Sequence, residues 1–526
     1  MVSVDAKQTA AAAAGKGLAM GGWAQRHLNL CFVAGFLLVL LTYLVVSQQF
    51  AVTAPVAVPT TTAPHRKHQA NKSPGAGAVS GKAVGLTQGD PGAEKKAEAR
   101  PTHEQQQHAG PPKAEGRARR VGKRDDDVAA KPFDNGKVVC TASPFSYTCD
   151  VFGDVRTNGT AHTVTLVPVT SRPERREWHI QAYARYNMTG IRNITVTQLD
   201  STSAASPAPA CTVTHRVPAI VLALGGHLGN YFHDFSDALV PLFVASRRYD
   251  GEVQLLANNI QPWWLGKYEA VVRRLTKYKV VDLDHDDQIR CFRHVTVGLN
   301  MHKEFNIVPE LVPGGVPLSM VNFTAFLRET YSLPRAAPIS LTKKSSPPVD
   351  RKKKKPRLML LDRGHYRKLV NVPEIVKAAE KAGFEVAVAD PRFNVRVKEL
   401  ALSVNSFDVL LGVHGAGLTN SAFLPPGAVV IQVVPYGKLE PMAQREFGDP
   451  AANMGLRYLE YSISVEESTL LETLGPDHPA IKDPDSVHRS GWDKVAEFYL
   501  GKQNVRVDVE RFAPTLALAL DHLRRK

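Results

Sequence analysis

At 526 residues the chain is long enough for two or three domains with cores of their own. Its 65 Lys/Arg against 50 Asp/Glu leave a net charge of +15, but the excess is local: residues 47–136 hold 14 basic and 9 acidic residues, and residues 343–357 hold 8 and 1. These runs carry few aromatics and no periodicity, which argues against a nucleic-acid surface and for solvated segments.

In chain order, residues 1–27 form a short tail with Lys7, Lys16 and Arg26, followed by the uncharged apolar stretch Leu28–Val46. At about 1.5 Å per residue this stretch spans a bilayer core. It is longer than the apolar part of a cleaved signal peptide. Ser47–Thr62 has no Lys or Arg, so the positive-inside rule puts the tail in the cytosol and the rest in a lumen. Residues 47–135, rich in Ala, Pro, Gly, Gln and Lys, cannot bury a core and read as a flexible stem. Tail, anchor, stem and body give the layout of a single-pass Golgi membrane enzyme.

Cys31 lies in the apolar run; Cys140, Cys149, Cys211 and Cys291 follow in the body. In a lumen these four form two disulfides. Spacing does not choose among the three pairings, although Cys140–Cys149 is favoured as the local one. Asn-x-Ser/Thr sequons occur at Asn158, Asn187, Asn193 and Asn322, with a poorer one at Asn71.

Residues 136–333 form a first α/β half with a β-rich lead-in over 136–205, where Val164–Val169, Trp178–Ala184 and Ile194–Leu199 alternate apolar and polar. Val217–Leu224 is a buried strand, Gly225–Asn230 a turn and Tyr231–Tyr249 a helix with Phe232, Phe235, Leu239 and Leu242 on its core face. Val253–Ala257, a helix over Trp263–Leu275, Val280–Leu283 and Val295–Leu299 continue the alternation. Residues 334–356, with Pro347-Pro348 and Arg351–Lys355, are a linker or insertion. The second half, 357–526, begins with strand Leu358–Leu361, helix Pro373–Ala382, strand Phe384–Ala389 and helix Val397–Val404. Phe407–Val434 then holds two apolar strands, Val409–Val413 and Ala428–Val434, joined by His414-Gly415-Ala416-Gly417 and a short helix, Leu418–Phe423. A strand near Tyr458–Ile463 and a helix near Ala513–Leu523 close the chain.

Three stretches can carry chemistry. His233 and Asp237, four apart on one helix face, suit a base oriented by a carboxylate, with Asn230 and Asp234 supporting the helix start. Which of His233 and Asp237 is the base is a matter of geometry. Arg363 and Arg367, with Asn371 after them, sit just past a strand end, where guanidinium groups grip phosphate oxygens. His414, Gly415, Ala416 and Gly417, with Asn420, form a glycine turn before a helix where the backbone can approach an anion, and Glu440 lies downstream as a candidate for ribose hydroxyls. Of the Asp-x-Asp strings, only Asp282 and Asp284 end a strand. They read better as a solvated turn than as a metal site, so no obligatory metal is expected.

The motifs GNYFHDFSD (Gly229–Asp237), LLDRGHYRKLVN (Leu360–Asn371) and GVHGAGLTN (Gly412–Asn420) in this order resemble glycosyltransferase family 61. The resemblance covers about Ala219–Val507, with Asn230, His233 and Asp237 matching one family pattern and Arg363, Arg367 and Asn371 another. It implies two Rossmann-like domains of glycosyltransferase-B type and an inverting, metal-independent enzyme with a UDP-sugar donor. It is similar to the grass members that decorate xylan in the Golgi, which implies UDP-xylose or UDP-arabinofuranose as donor and xylan or its arabinose side chains as acceptor. The rival expectations are an N-glycan β-1,2-xylosyltransferase and a non-catalytic luminal sugar-binding protein.

Overall fold

The computed structural model describes residues 136–169, 174–200, 208–315, 317–341, 355–389 and 396–525. The anchor at 28–46, the stem up to 135, Cys31, Asn71 and most of the Lys-rich insertion lie outside these residues. No described helix is long and apolar enough to cross a membrane.

The first half holds β1 (Lys137–Ala142), β2 (Tyr147–Asn158), β3 (Thr163–Val167), β4 (Arg176–Gln181), β5 (Asn193–Gln198), β6 (Val213–Thr214), β7 (Ala219–Ala223), β8 (Gln254–Asn258), β9 (Val281–Asp282) and β10 (Ile289–Val297). They make one mixed sheet in the order β4-β5-β3-β2-β10-β7-β8-β9, with β1 on β2 and β6 on β10. The lead-in is therefore not a separate layer. β10 pairs antiparallel with β2 from Ile289↔Asn158 to Val297↔Cys149 and parallel with β7 on its other edge. β10 starts six residues before the predicted Val295, because its polar residues are held by ladder bonds that a hydropathy pattern does not register.

The second half is a parallel sheet of β11 (Arg357–Leu361), β12 (Glu385–Ala389), β13 (Val409–Val413), β14 (Val429–Val434) and β15 (Arg457–Ser462), ordered β12-β11-β13-β14-β15. Every residue of β13 and β14 is buried, as expected for parallel strands covered on both faces. This order reverses between β11 and β13. In the first sheet, the parallel set β10-β7-β8-β9 reverses between β7 and β10. Such reversals open a crevice beyond the carboxyl ends of the two strands, where ligands of open α/β sheets bind.

The predicted helix Tyr231–Tyr249 is helical throughout but not uniformly α. Asp234–Leu239 is a π-type segment, closed by a bond from the Val240 amide to the Phe235 carbonyl. Single π turns of this kind are frequent at functional sites. The predicted helix over 263–275 is broken at Tyr268 into Pro262–Lys267 and Glu269–Leu275. One apolar core joins the two halves. Phe235 is in edge contact with Phe323 of its own half and with Phe423 of the other, and Phe232 meets Phe447 with centroids 5.4 Å apart.

Cys140 is disulfide-bonded to Cys149, its direct partner across β1 and β2, and Cys211 to Cys291. Asn187, Asn193 and Asn322 are exposed and Asn158 is half-buried. The Asn322 amide oxygen accepts the Ser319 backbone N–H at 2.9 Å at the start of helix Met320–Tyr331.

Candidate active site

The carboxyl end of β7 leads through Gly225–Asn230 into the helix that carries His233. Asn230 caps it, its side-chain oxygen accepting the Phe232 amide at 3.1 Å. Asp237 is fully buried, yet its carboxylate is saturated. Oδ2 accepts from His233 Nδ1 at 3.0 Å, Tyr183 OH at 2.9 Å and Arg185 Nε at 2.7 Å, and Oδ1 accepts Arg185 Nη2 at 2.8 Å. Burial alone would raise the Asp237 pKa, but the bonds from His233 and Arg185 outweigh it and carry it down to about 2. Arg185 also forks onto Glu304, beyond the end of β10, at 3.0 and 2.7 Å.

An ionised Asp237 can only accept, so His233 Nδ1 is the donor in this bond, and in the tautomer it selects the lone pair sits on Nε2. Geometry thus separates the two residues: Asp237 has no accessible oxygen and orients, while His233 is the side chain with a basic atom to offer. Asp234, also fully buried, accepts from the Gly229 amide, Trp264 Nε1, Lys267 Nζ and Tyr268 OH, between 2.7 and 3.0 Å. Its role is to lock the glycine turn onto helix Pro262–Lys267.

At the second crevice, Arg363 and Arg367 follow β11. Tyr366 and Arg367 both have left-handed backbone, φ +47° and +53°, a strain of about 1–3 kcal/mol each. The turn is held by Arg367 N–H to Gln503 O at 2.8 Å and Arg363 Nε to Tyr366 O at 3.1 Å. Both guanidinium groups lie over Gly415, whose φ is +136°: a Cβ built there would meet Arg363 Nη1 at 2.5 Å and Arg367 Nη2 at 3.3 Å. The backbone conformation strains any residue but glycine, and a Cβ would also push the guanidinium tips away. Among the described residues neither arginine has a carboxylate within ion-pair distance, and Arg367 Nε is buried without a hydrogen-bond partner. Burial, and then Arg363 beside it, lowers Arg367 to about 9.

His414 is buried, its Nδ1 accepting Gln432 Nε2 at 2.7 Å and its Nε2 standing 3.6 Å from Glu446. Burial, then Arg367 and Arg363, hold it down to about 3, so the ring stays neutral. Glu446 is where the two crevices meet. Burial and the Glu304 carboxylate raise it to about 7, against the pull of Arg185, Arg367 and Arg445. Tyr231 OH donates to Asn420 Oδ1 at 3.1 Å, and Phe447 touches both Phe232 and His414.

The profile of the family Glycosyltransferase 61 matches residues 231–431, which run from the first residue of the His233 helix to the middle of β14. The β-1,2-xylosyltransferase XYXT1 of Oryza sativa subsp. japonica is 47% identical over 351 residues, 66% of this chain and 72% of that protein. The α-1,3-arabinosyltransferase XAT3 of the same organism is 41% identical over 74% of this chain and 66% of its own length. The xylan glycosyltransferase MUCI21 of Arabidopsis thaliana is 33% identical over 58% and 62%. The chain belongs to glycosyltransferase family 61. It is a glycosyltransferase, and its α/β sheets are consistent with a glycosyltransferase fold.

Within this family 61 chain the structure pairs His233 with Asp237 at the first crevice and groups Arg363, Arg367, His414 and Gly415 at the second, with Ala416 and Gly417 opening the short helix Ala416–Phe423. It gives Asn371, Asn420 and Glu440 roles other than those expected. Asn371 does not face a ligand: its amide is buried and bonds both the N–H and the C=O of Val507, which anchors the arginine loop to the C-terminal segment. Asn420 is a buried tie between the halves through Tyr231, not an exposed donor contact. Asp234 holds the turn that leads into the His233 helix, which supports the helix start. Glu440 heads helix Glu440–Ala443, half-buried and without a described bond to the arginines; Glu446, six residues on, is the carboxylate at the site. Asp284 accepts the Asn259 amide just past the end of β8, and Asp282 meets His285 within the turn. Sequence reasoning missed Tyr183, Arg185, Glu304 and Glu446. Glu304 could have been sought beyond the end of β10, once β7 and β10 were taken as neighbours.

Proposed function

We propose that the protein is an inverting, UDP-sugar-dependent pentosyltransferase that moves xylose or arabinofuranose onto xylan or its arabinose side chains. Two half-buried arginines with no carboxylate in ion-pair reach among the described residues, and Glu446 acted on by both Arg185 and Arg367, carry this reading. Arg363, Arg367 and the Ala416 and Gly417 amides receive the diphosphate and hold its growing charge as the sugar leaves. His233 Nε2 takes the proton of the attacking acceptor hydroxyl, and Asp237 stabilises the imidazolium formed. With two guanidinium groups neutralising the leaving group, the reaction needs no obligatory metal. The three rice and Arabidopsis relatives, named for xylosyl, arabinosyl and xylan transfer, support the pentose and the acceptor.

The two sheets, each contributing its reversal point, act as the two Rossmann-like domains of a glycosyltransferase-B arrangement, 136–333 and 357–526. The body works in the Golgi lumen, held by residues 28–46; its two disulfides fit an oxidising compartment, and its sequons are glycosylated there. The test offers the purified body UDP-xylose and UDP-arabinofuranose with xylo-oligosaccharides and arabinoxylan fragments, with and without EDTA. NMR of the product should show one added pentose of inverted anomeric configuration, undiminished by chelation. Absence of transfer from either donor would reject the reading.

A further inference from the structure

The two adjacent tryptophans of helix Pro262–Lys267 have opposite fates. Trp264 is fully buried and donates to Asp234 at 3.0 Å. Trp263 is 49% exposed. Its indole is nevertheless fixed: Nε1 donates to Gln261 Oε1 at 3.1 Å, and its far edge covers Gly229, Cη2 standing 3.6 Å from where a Cβ there would lie. Single exposed hydrophobic side chains are common on protein surfaces; what sets this ring apart is that it is held in place beside the turn that leads to His233.

Its surroundings say what would cover it. Gly229 opens the motif that ends in Asp237, and the exposed Asn230 follows it, its oxygen engaged in the cap and its Nδ2 without a partner among the described residues. The exposed His227 ring lies 4.6 Å, centroid to centroid, from that of His233. Indole, amide, imidazole and base therefore form one short strip along the turn and helix start. The strip combines a flat apolar platform with polar groups at its edge. This pattern suits a pyranose of a pentose polymer. Such a ring has no hydroxymethyl group, so its C–H face lies flat on a π-surface whose negative face attracts the polarised C–H bonds, while equatorial hydroxyls reach sideways.

We infer that Trp263 is the stacking platform for a sugar unit of the acceptor chain, with Asn230 and His227 as its hydroxyl-binding edge, so that a neighbouring unit's hydroxyl is delivered to His233. This inference rests on the acceptor proposed above. It assigns Trp263 to acceptor binding alone, since the arginines and Gly415 lie on the other sheet.

The experiment measures initial rates with xylotetraose at saturating donor, and UDP affinity by calorimetry, for the wild type, Trp263→Ala and Trp263→Phe. Trp263→Ala should raise the acceptor KM at least tenfold while UDP affinity and the thermal midpoint stay within error of wild type. Trp263→Phe, which keeps a flat ring, should recover most of the loss. An unchanged acceptor KM in Trp263→Ala, with wild type active, overturns the platform and leaves the proposed reaction standing. A loss that falls on UDP affinity or the midpoint instead would also overturn it, since Trp263 would then be structural. If wild type itself transfers nothing to xylotetraose or arabinoxylan, the acceptor reading fails and the platform with it.

Discussion

The two crevices are built on opposite electrostatic plans. At the first, every buried charge is answered: Asp237 accepts from three side chains and Asp234 from three side chains and a backbone amide. At the second, two half-buried guanidinium groups stand side by side, with desolvation lowering the pKa of both and no carboxylate in ion-pair reach among the described residues. A satisfied network is rigid and holds a base in one orientation. An unsatisfied pair of like charges is costly until an anion arrives, so the cost is recovered on binding. One wall is finished before substrate, and the other is completed by it.

That contrast can be broken at several points, the largest effect first. His233→Ala should lower kcat by about 10²–10⁴-fold, the usual worth of a general base, with UDP affinity unchanged in calorimetry; a kcat within threefold of wild type would remove His233 from that role. Asp234→Ala should destabilise the fold by about 3–5 kcal/mol in urea unfolding, because it strands Lys267 and two buried donors. Arg363→Ala should weaken UDP binding by about 10–100-fold, the loss of charge-assisted bonds, yet the ligand-free thermal midpoint should not fall. A drop in that midpoint would show that the arginine is structural and erase the difference between the walls.

The smallest effect concerns Glu446. Its folded pKa, about 7, lies above its ordinary 4.5. Its contribution to stability is therefore full below about 4.5 and is lost as pH rises through about 7. A bound diphosphate favours the protonated form further, so UDP affinity should decline as pH rises above about 7, where the free protein gives up the proton. The neighbours Glu304, Arg185, Arg367, Arg445 and His414 act on Glu446, but His414, held at about 3, does not titrate there. Glu446→Gln should flatten the dependence in calorimetry between pH 6 and 8 and bind UDP more tightly than wild type at pH 8.

Much of this was legible along the chain because the informative interactions are local. The strands β13 and β14 are buried on both faces and so read as unbroken apolar runs, and the His233–Asp237 pair follows from helical spacing. The cysteine pair 140–149 was favoured for its short separation, and a cross-strand pair is how the structure realises it. Asn371 and Asn420 were harder to read. A polar residue inside a motif looks the same whether it meets a ligand or a distant backbone, and Asn371 meets Val507, 136 positions away.

The sequence alone determined the alternation of strands and helices, the two facing residues of the helix start, the arginine spacing and the glycine turn, since each depends on neighbours within a turn or two. The tertiary structure decided which carboxylates are spent and which arginines are left over. Charge compensation is settled by groups such as Arg185, Glu304 and Glu446, which are far apart in the chain and become neighbours only where two sheets reverse their strand order.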